Sequence, residues 1–202
     1  MNFVDDVKRI QVICRVPADG IFGPVTAAAV LRELVDGGAA EEGVTGSPKI
    51  DARTQKALDS LDPKAVQRFT EFILRAKATA ATFGCDYIAI CGTRTWDEQA
   101  ALRRKYLAGG PKAAPAGYSW HNFGTALDFG VFRGAQYLDD TDEGTAERVH
   151  AACAAHAKFC GLEWGGEWKG RDCDPPHYQI EMERSAPSET DREKFKREGS
   201  VL

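Results

Sequence analysis

Two histidines and an aspartate, separated along the chain, place the strongest demand on the fold. His121 and Asp128 stand seven residues apart in Gly117-Tyr118-Ser119-Trp120-His121-Asn122-Phe123-Gly124-Thr125-Ala126-Leu127-Asp128-Phe129, and His177 comes much later, in Asp174-Pro175-Pro176-His177. Two histidines with one carboxylate can supply the three protein ligands of an open zinc site, leaving the fourth position for water. If they share an ion, the fold has to return His177 to the first segment. Pro175 and Pro176 restrict the backbone before His177, which would help to fix its ring before a metal arrives. Asp174 stands where it can act as a general base beside the ion, a combination that points to zinc-assisted hydrolysis. Spacing alone leaves hydrogen-bonded structural histidines as the alternative.

The 202 residues allow one catalytic core and a small accessory module, and 43% hydrophobic content supplies a buried interior. A net charge of -4 without a basic patch gives no cause to expect a nucleic-acid partner. No apolar stretch is long enough to span a membrane, so no membrane partner is expected. Met1-Asn2-Phe3-Val4-Asp5-Asp6 lacks the basic start and apolar core of a secretory signal. The expectation is a soluble monomer, cytoplasmic at synthesis. Six cysteines without CxxC spacing fit free, mostly buried thiols. Cys173, beside Asp174, either approaches the metal or fills space as a small buried residue.

Composition divides the chain near residue 60. Before it, Val4, Val7, Ile10 and Cys14 recur at helical spacing, Ala18-Asp19-Gly20 reads as a turn, and Gly23-Pro24 opens a helix carrying Val30, Leu31 and Leu34. The glycine-rich stretch from Asp36 to Ser47 reads as a loop. After the boundary, Asp62-Pro63 is a helix start, and Val66, Phe69, Ile73, Ala76, Ala80 and Phe83 form one apolar stripe ending at Gly84. Tyr87-Ile88-Ala89-Ile90-Cys91 reads as a core strand, residues 107–117 as a loop, and Thr145 to Phe159 as a helix. Tyr178-Gln179-Ile180-Glu181 reads as a closing strand, and the charged stretch from Met182 as a surface extension. The result is an α+β catalytic domain over 61–202, preceded by a small helical module over 1–60.

Ser119-Trp120-His121-Asn122-Phe123-Gly124-Thr125-Ala126-Leu127-Asp128 matches the S-x-H-x-x-G-x-A-x-D motif of the D-alanyl-D-alanine metallopeptidase family. Trp164-Gly165-Gly166-Glu167-Trp168 and Asp174-Pro175-Pro176-His177-Tyr178-Gln179 are similar to the second motif region of its L-alanyl-D-glutamate endopeptidase branch, found in phage endolysins and bacterial wall hydrolases. Gly92-Thr93-Arg94-Thr95 with Glu98-Gln99 resembles that branch's substrate-side segment. The resemblance implies a small zinc-peptidase domain with a short antiparallel sheet flanked by helices, Zn2+ as cofactor and peptidoglycan as partner. It implies His121, Asp128 and His177 as metal ligands, Asp174 as the base, and Arg94, Ser119 and Gln99 on the substrate side. The cut implied is L-alanyl-D-glutamate, after release to the wall. D-alanyl-D-alanine trimming and a non-catalytic wall-binding scaffold remain alternatives. Asp19-Gly20-Ile21-Phe22-Gly23-Pro24 through Val30 resembles a peptidoglycan-binding module, with an echo at Ile50-Asp51-Ala52-Arg53-Thr54-Gln55-Lys56-Ala57-Leu58.

Several residues keep two readings at this level. Arg94 either clamps a substrate carboxylate and developing oxyanion or is simply salt-bridged. Ser119 either meets substrate or shapes the turn, and Trp120, Trp164 and Trp168 either line a cleft or pack in the core. His150 and His156 read as helix residues rather than ligands.

Overall fold

The computed structural model describes residues 49–139, 143–184 and 186–202. The wall-binding-like pattern before residue 49 lies outside the described residues. By packing, Ile50–Leu202 form one unit, so the boundary falls at Ile50 rather than near residue 60. The reason is α1 (Ala52–Asp59), the segment that echoes the wall-binding pattern. Asp51 caps it by accepting from Thr54 N at 2.8 Å. The buried Thr54 hydroxyl accepts from Ala89 N at 3.0 Å, and Leu58 enters the core. This helix therefore supports the sheet.

α2 (Pro63–Ala81) starts as the sequence indicates, with Asp62 as cap and proline in the first turn. Phe69, Phe72, Ile73, Ala76 and Ala80 are fully buried on one face. They lie against β1 (Asp86–Cys91), β2 (Ala126–Arg133) and β5 (His177–Ile180), with Phe72 4.4 Å from the Tyr178 ring and 5.5 Å from Phe129. With β3 (Gln136–Leu138) and β4 (Leu162–Trp164) they make an antiparallel sheet in the order β1-β2-β5-β4, with β3 paired to β2. This is an α+β fold. α4 (Thr145–Ala154) is shorter than the periodicity suggests, because the chain tightens into a 3-10 turn at Lys158–Cys160 and closes at Gly161. Among the described residues no helix is long and apolar enough to cross a membrane.

Two further helices carry little apolar signal. α3 (Trp96–Leu107) begins with a Thr95/Glu98 capping box and buries Gln99 alone. α5 (Glu189–Glu198) replaces the expected surface extension. Its Phe195 ring lies 5.1 Å from Phe123, and Val201 joins Trp120, Phe123 and Ala126 in a second apolar cluster. The charged stretch is thus a cover for the turn that carries His121.

The sheet's period of two separates structure from chemistry. Leu127, Phe129 and Val131 of β2, with Tyr178 and Ile180 of β5, belong to the helix-packed core. Asp128 alternates to the other face, opposite His177, and Glu163 stands opposite Gln179. A bulge between Ala89 and Cys91 shifts the register by one, so that Cys91 rather than Ile90 faces Asp128.

Candidate metal centre

His121 sits on a 3-10 turn, Trp120–Phe123, that ends at Gly124 in the left-handed region. A Cβ at Gly124 would come 2.5 Å from Asp62 N, and the Asp62 amide donates to the Gly124 carbonyl at 2.9 Å. The glycine in the motif is where the His121 turn lies flat against the start of α2. Asn122 pins the same turn, donating to Arg94 O at 3.0 Å and accepting from Gly117 N at 3.0 Å. On the far side, Asp174 N donates to Gly165 O at 2.9 Å and His177 N to Asp174 O at 3.0 Å. A Cβ on Gly165 would lie 2.6 Å from Asp174 O, so the loop before His177 packs tightly against this glycine.

The three expected ligand atoms converge. His121 Nε2 lies 3.0 Å from Asp128 Oδ1 and 3.2 Å from His177 Nδ1, and that nitrogen is 2.9 Å from the same carboxylate oxygen. A tetrahedral ion with bonds of about 2.0–2.1 Å holds its ligand atoms roughly 3.3 Å apart, close to this triangle. Tautomers decide the fit. A backbone carbonyl only accepts, so His121 Nδ1, 2.8 Å from Gly92 O, carries the hydrogen and leaves a lone pair on Nε2. His177 Nε2 likewise donates to Gln179 Oε1 at 3.0 Å, leaving its lone pair on Nδ1. Three inward acceptors therefore face one another, an arrangement that calls for a cation between them. The donor set fits zinc.

Without metal the cation is a proton. Burial alone would lower the His121 pKa, but the charge and hydrogen bond of Asp128 raise it to about 9. Burial alone would raise Asp128, and the charge and hydrogen bond of His121, aided by His177, instead hold its carboxyl well below the usual range. Asp174 is exposed at the rim. Partial desolvation, then the charge of Asp128, pushes its carboxyl upward against the pull of His177, His121 and Arg94.

Arg94 is largely committed to the protein. Its Nη2 donates to Asp128 Oδ2 at 2.6 Å, Nε to Cys91 Sγ at 3.0 Å and Nη1 to Gln99 Oε1 at 3.3 Å. The ion pair occupies one Asp128 oxygen and leaves the other for the histidine pair. Gln99, expected on the substrate side, is instead buried: its oxygen holds Arg94 and its amide donates to Ala114 O at 2.8 Å. Ser119 is half-buried at the start of the His121 turn and makes no capping bond. Trp120 is core, while the Trp168 ring lies 5.1 Å from His177. His150 and His156 bond Tyr87 and Thr79 at 2.7 and 2.8 Å, away from the centre. Cys173 is exposed rather than buried, and the thiol near the centre is Cys91, grouped with His121 and Asp128. Burial would raise Cys91, but the hydrogen bond and charge of His121 bring it below its ordinary value. All five described cysteines are free.

Residues 112–180 match the profile of a family described as D-alanyl-D-alanine carboxypeptidase. The peptidoglycan L-alanyl-D-glutamate endopeptidase CwlK of Bacillus subtilis is 33% identical over 116 residues, which cover 52% of this chain and 66% of that protein. Over these residues the chain is similar to the D-alanyl-D-alanine metallopeptidase family. Its match spans slightly less than two thirds of that relative's length. Among solved structures, the Serratia marcescens L-Ala D-Glu endopeptidase ChiX is 22% identical, with 67% of this chain and 91% of that chain covered and a TM-score of 0.44. The vancomycin-resistance D,D-pentapeptidase VanY, in complex with Zn(II), is 18% identical, with 69% and 80% covered and a TM-score of 0.41. In this chain, the motif residues account for the three inward-facing atoms. Cys91 and Glu163 stand outside the motif reading, and only the register of β1, β2, β4 and β5 brings them to the centre.

Proposed function

We propose that the protein is a zinc-dependent peptidase that cuts the peptidoglycan stem at the L-alanyl-D-glutamate bond. The convergence of three lone pairs from His121 Nε2, His177 Nδ1 and Asp128 Oδ1 carries the metal part of this reading. The relative CwlK supports the choice of bond. When bound, zinc supplies Lewis acidity and a water made acidic near neutral pH. Asp174, at the open rim, accepts a proton at its carboxylate and returns it to the departing amine nitrogen. Its raised pKa suits a group that both takes and gives a proton. Arg94 has five N–H donors, and the two that bond none of the described residues can meet a substrate carboxylate.

A groove of about 370 Å³ runs from Cys91 and Arg94 along α3, past Ala101 and Leu102 to Lys105. A γ-linked D-glutamate keeps a free α-carboxylate beside the cut, and the Arg94 end of the groove offers positive charge for it. The family description favours a second reading, trimming of terminal D-alanine. Purified wall incubated with the protein, with and without chelator, separates the outcomes by mass analysis of the released ends. New D-glutamate amino termini support the endopeptidase, and free D-alanine supports the alternative. Chelator-insensitive release, or no release, would sink both.

A further inference from the structure

The tautomer of His177 is not fixed by Gln179 alone. A primary amide can present either its oxygen or its NH2 to a neighbour, and a half-turn exchanges them. Glu163 on β4, directly across from Gln179, makes the choice. Gln179 Nε2 donates to Glu163 Oε2 at 2.9 Å, and Trp168 Nε1 donates to Oε1 at 2.5 Å. A carboxylate only accepts, so Gln179 must turn its NH2 toward Glu163 and its oxygen toward His177. Gln179 is 1% exposed, which keeps water from substituting for either partner. His177 then carries its hydrogen on Nε2 and keeps the lone pair on Nδ1, the atom that faces Asp128 and His121.

We infer that Glu163 is a positioning residue of the metal centre: acting through Gln179, it sets the His177 tautomer that leaves Nδ1 free to bind the ion. Trp168 is the second element of the device. Its indole occupies the other carboxylate oxygen, and its ring lies against His177. The inference rests on the zinc reading above, and its test is independent of peptide cleavage.

Glu163→Gln preserves shape but offers one oxygen and one NH2 to two arriving donors. The arrangement without a donor–donor clash gives the oxygen to Trp168 and the NH2 to Gln179. Gln179 then turns over and points its own NH2 at His177 Nε2, moving the histidine hydrogen to Nδ1, where it blocks the metal. Zinc affinity, measured by competition with a chromophoric chelator, should fall about 10–100-fold. Adding Trp168→Phe removes the second donor, lets the new amide turn its oxygen to Gln179, and should recover most of the loss. A merely structural contact would make the double variant worse than the single one, and that result would overturn the inference. A parent chain that binds zinc, with Glu163→Gln binding it equally well, would sink the relay alone. A parent that binds no zinc would sink the metal reading as well. Should Glu163→Gln fail to fold, Gln179→Met removes the acceptor directly; zinc affinity must fall there too, and unchanged affinity would overturn the proposal.

Discussion

Zinc affinity should climb steeply with pH, because in the metal-free centre a proton occupies the place of the ion. Between His121 Nε2, His177 Nδ1 and Asp128 Oδ1 the edges are 3.0, 3.2 and 2.9 Å, too close for three bare acceptors. The Asp128 carboxylate raises His121 to about 9 against the opposing effect of burial. Below that value His121 is protonated and zinc must expel the proton, so each unit of acidification costs about tenfold in apparent affinity. At pH 7 the penalty is about 100-fold, or roughly 2.7 kcal/mol, and above pH 9 the curve should flatten. Chelator competition from pH 6.5 to 9.5, corrected for the chelator's own titration, reads the slope. Calorimetry in buffers of different ionisation enthalpy should find about one proton released per zinc at pH 7. Asp128→Asn removes the charge that raises His121, so its affinity should be lower throughout and flatter between pH 7 and 9. A flat profile in the parent over that interval would refute the shared-proton account.

Asp174→Asn should retain zinc and fold while losing about 10²–10⁴-fold in turnover; activity within a few-fold of the parent would move the base elsewhere. Gly124→Ala puts a Cβ 2.5 Å from Asp62 N at a φ of +67°, and strain of this kind costs about 1–3 kcal/mol. Urea unfolding should show that loss, and an unchanged midpoint would mean that the turn relaxes freely. Burial depresses His150 from the ordinary 6.5 to about 4, so as pH falls through that window the unfolded chain takes a proton that the native state refuses. Stability present above pH 6.5 should therefore decline toward pH 4, by up to roughly 3 kcal/mol more in the parent than in His150→Gln. Equal acid sensitivity of the two would count against a neutral buried imidazole.

Local signals were legible in the chain. Asp62-Pro63 marks α2 because cap and first-turn proline are neighbours in sequence, and the stripe of α2 lies on one face. The convergence of the candidate ligands is foreshadowed by the motif that brackets His121 and Asp128 and by the prolines before His177. α3 is hidden because its only fully buried residue is the polar Gln99, which gives no apolar stripe. The resemblance puts Gln99 on the substrate side, and nothing in the local sequence reveals that both ends of its amide find protein partners. α5 has no buried residue of its own and declares itself only through Phe195 against Phe123. Cys91 and Glu163 depend on strand register, with a bulge bringing one to Asp128 and a cross-strand pairing bringing the other to Gln179. Register belongs to the assembled sheet, and periodicity within one segment does not specify it.

The cover that Phe195 and Val201 place over the His121 turn also sets an order of events during synthesis. Strands β1 and β2 leave the ribosome early and can already pair, but Trp120 and Phe123 have no apolar lid until residues 195–201 follow. His177 also emerges after the first two donors. A nascent chain halted before that point would hold His121 and Asp128 with neither their third partner nor their roof. On the zinc reading proposed above, metal loading would therefore await the finished domain, and chelation during translation should leave the yield of folded, zinc-competent protein unchanged.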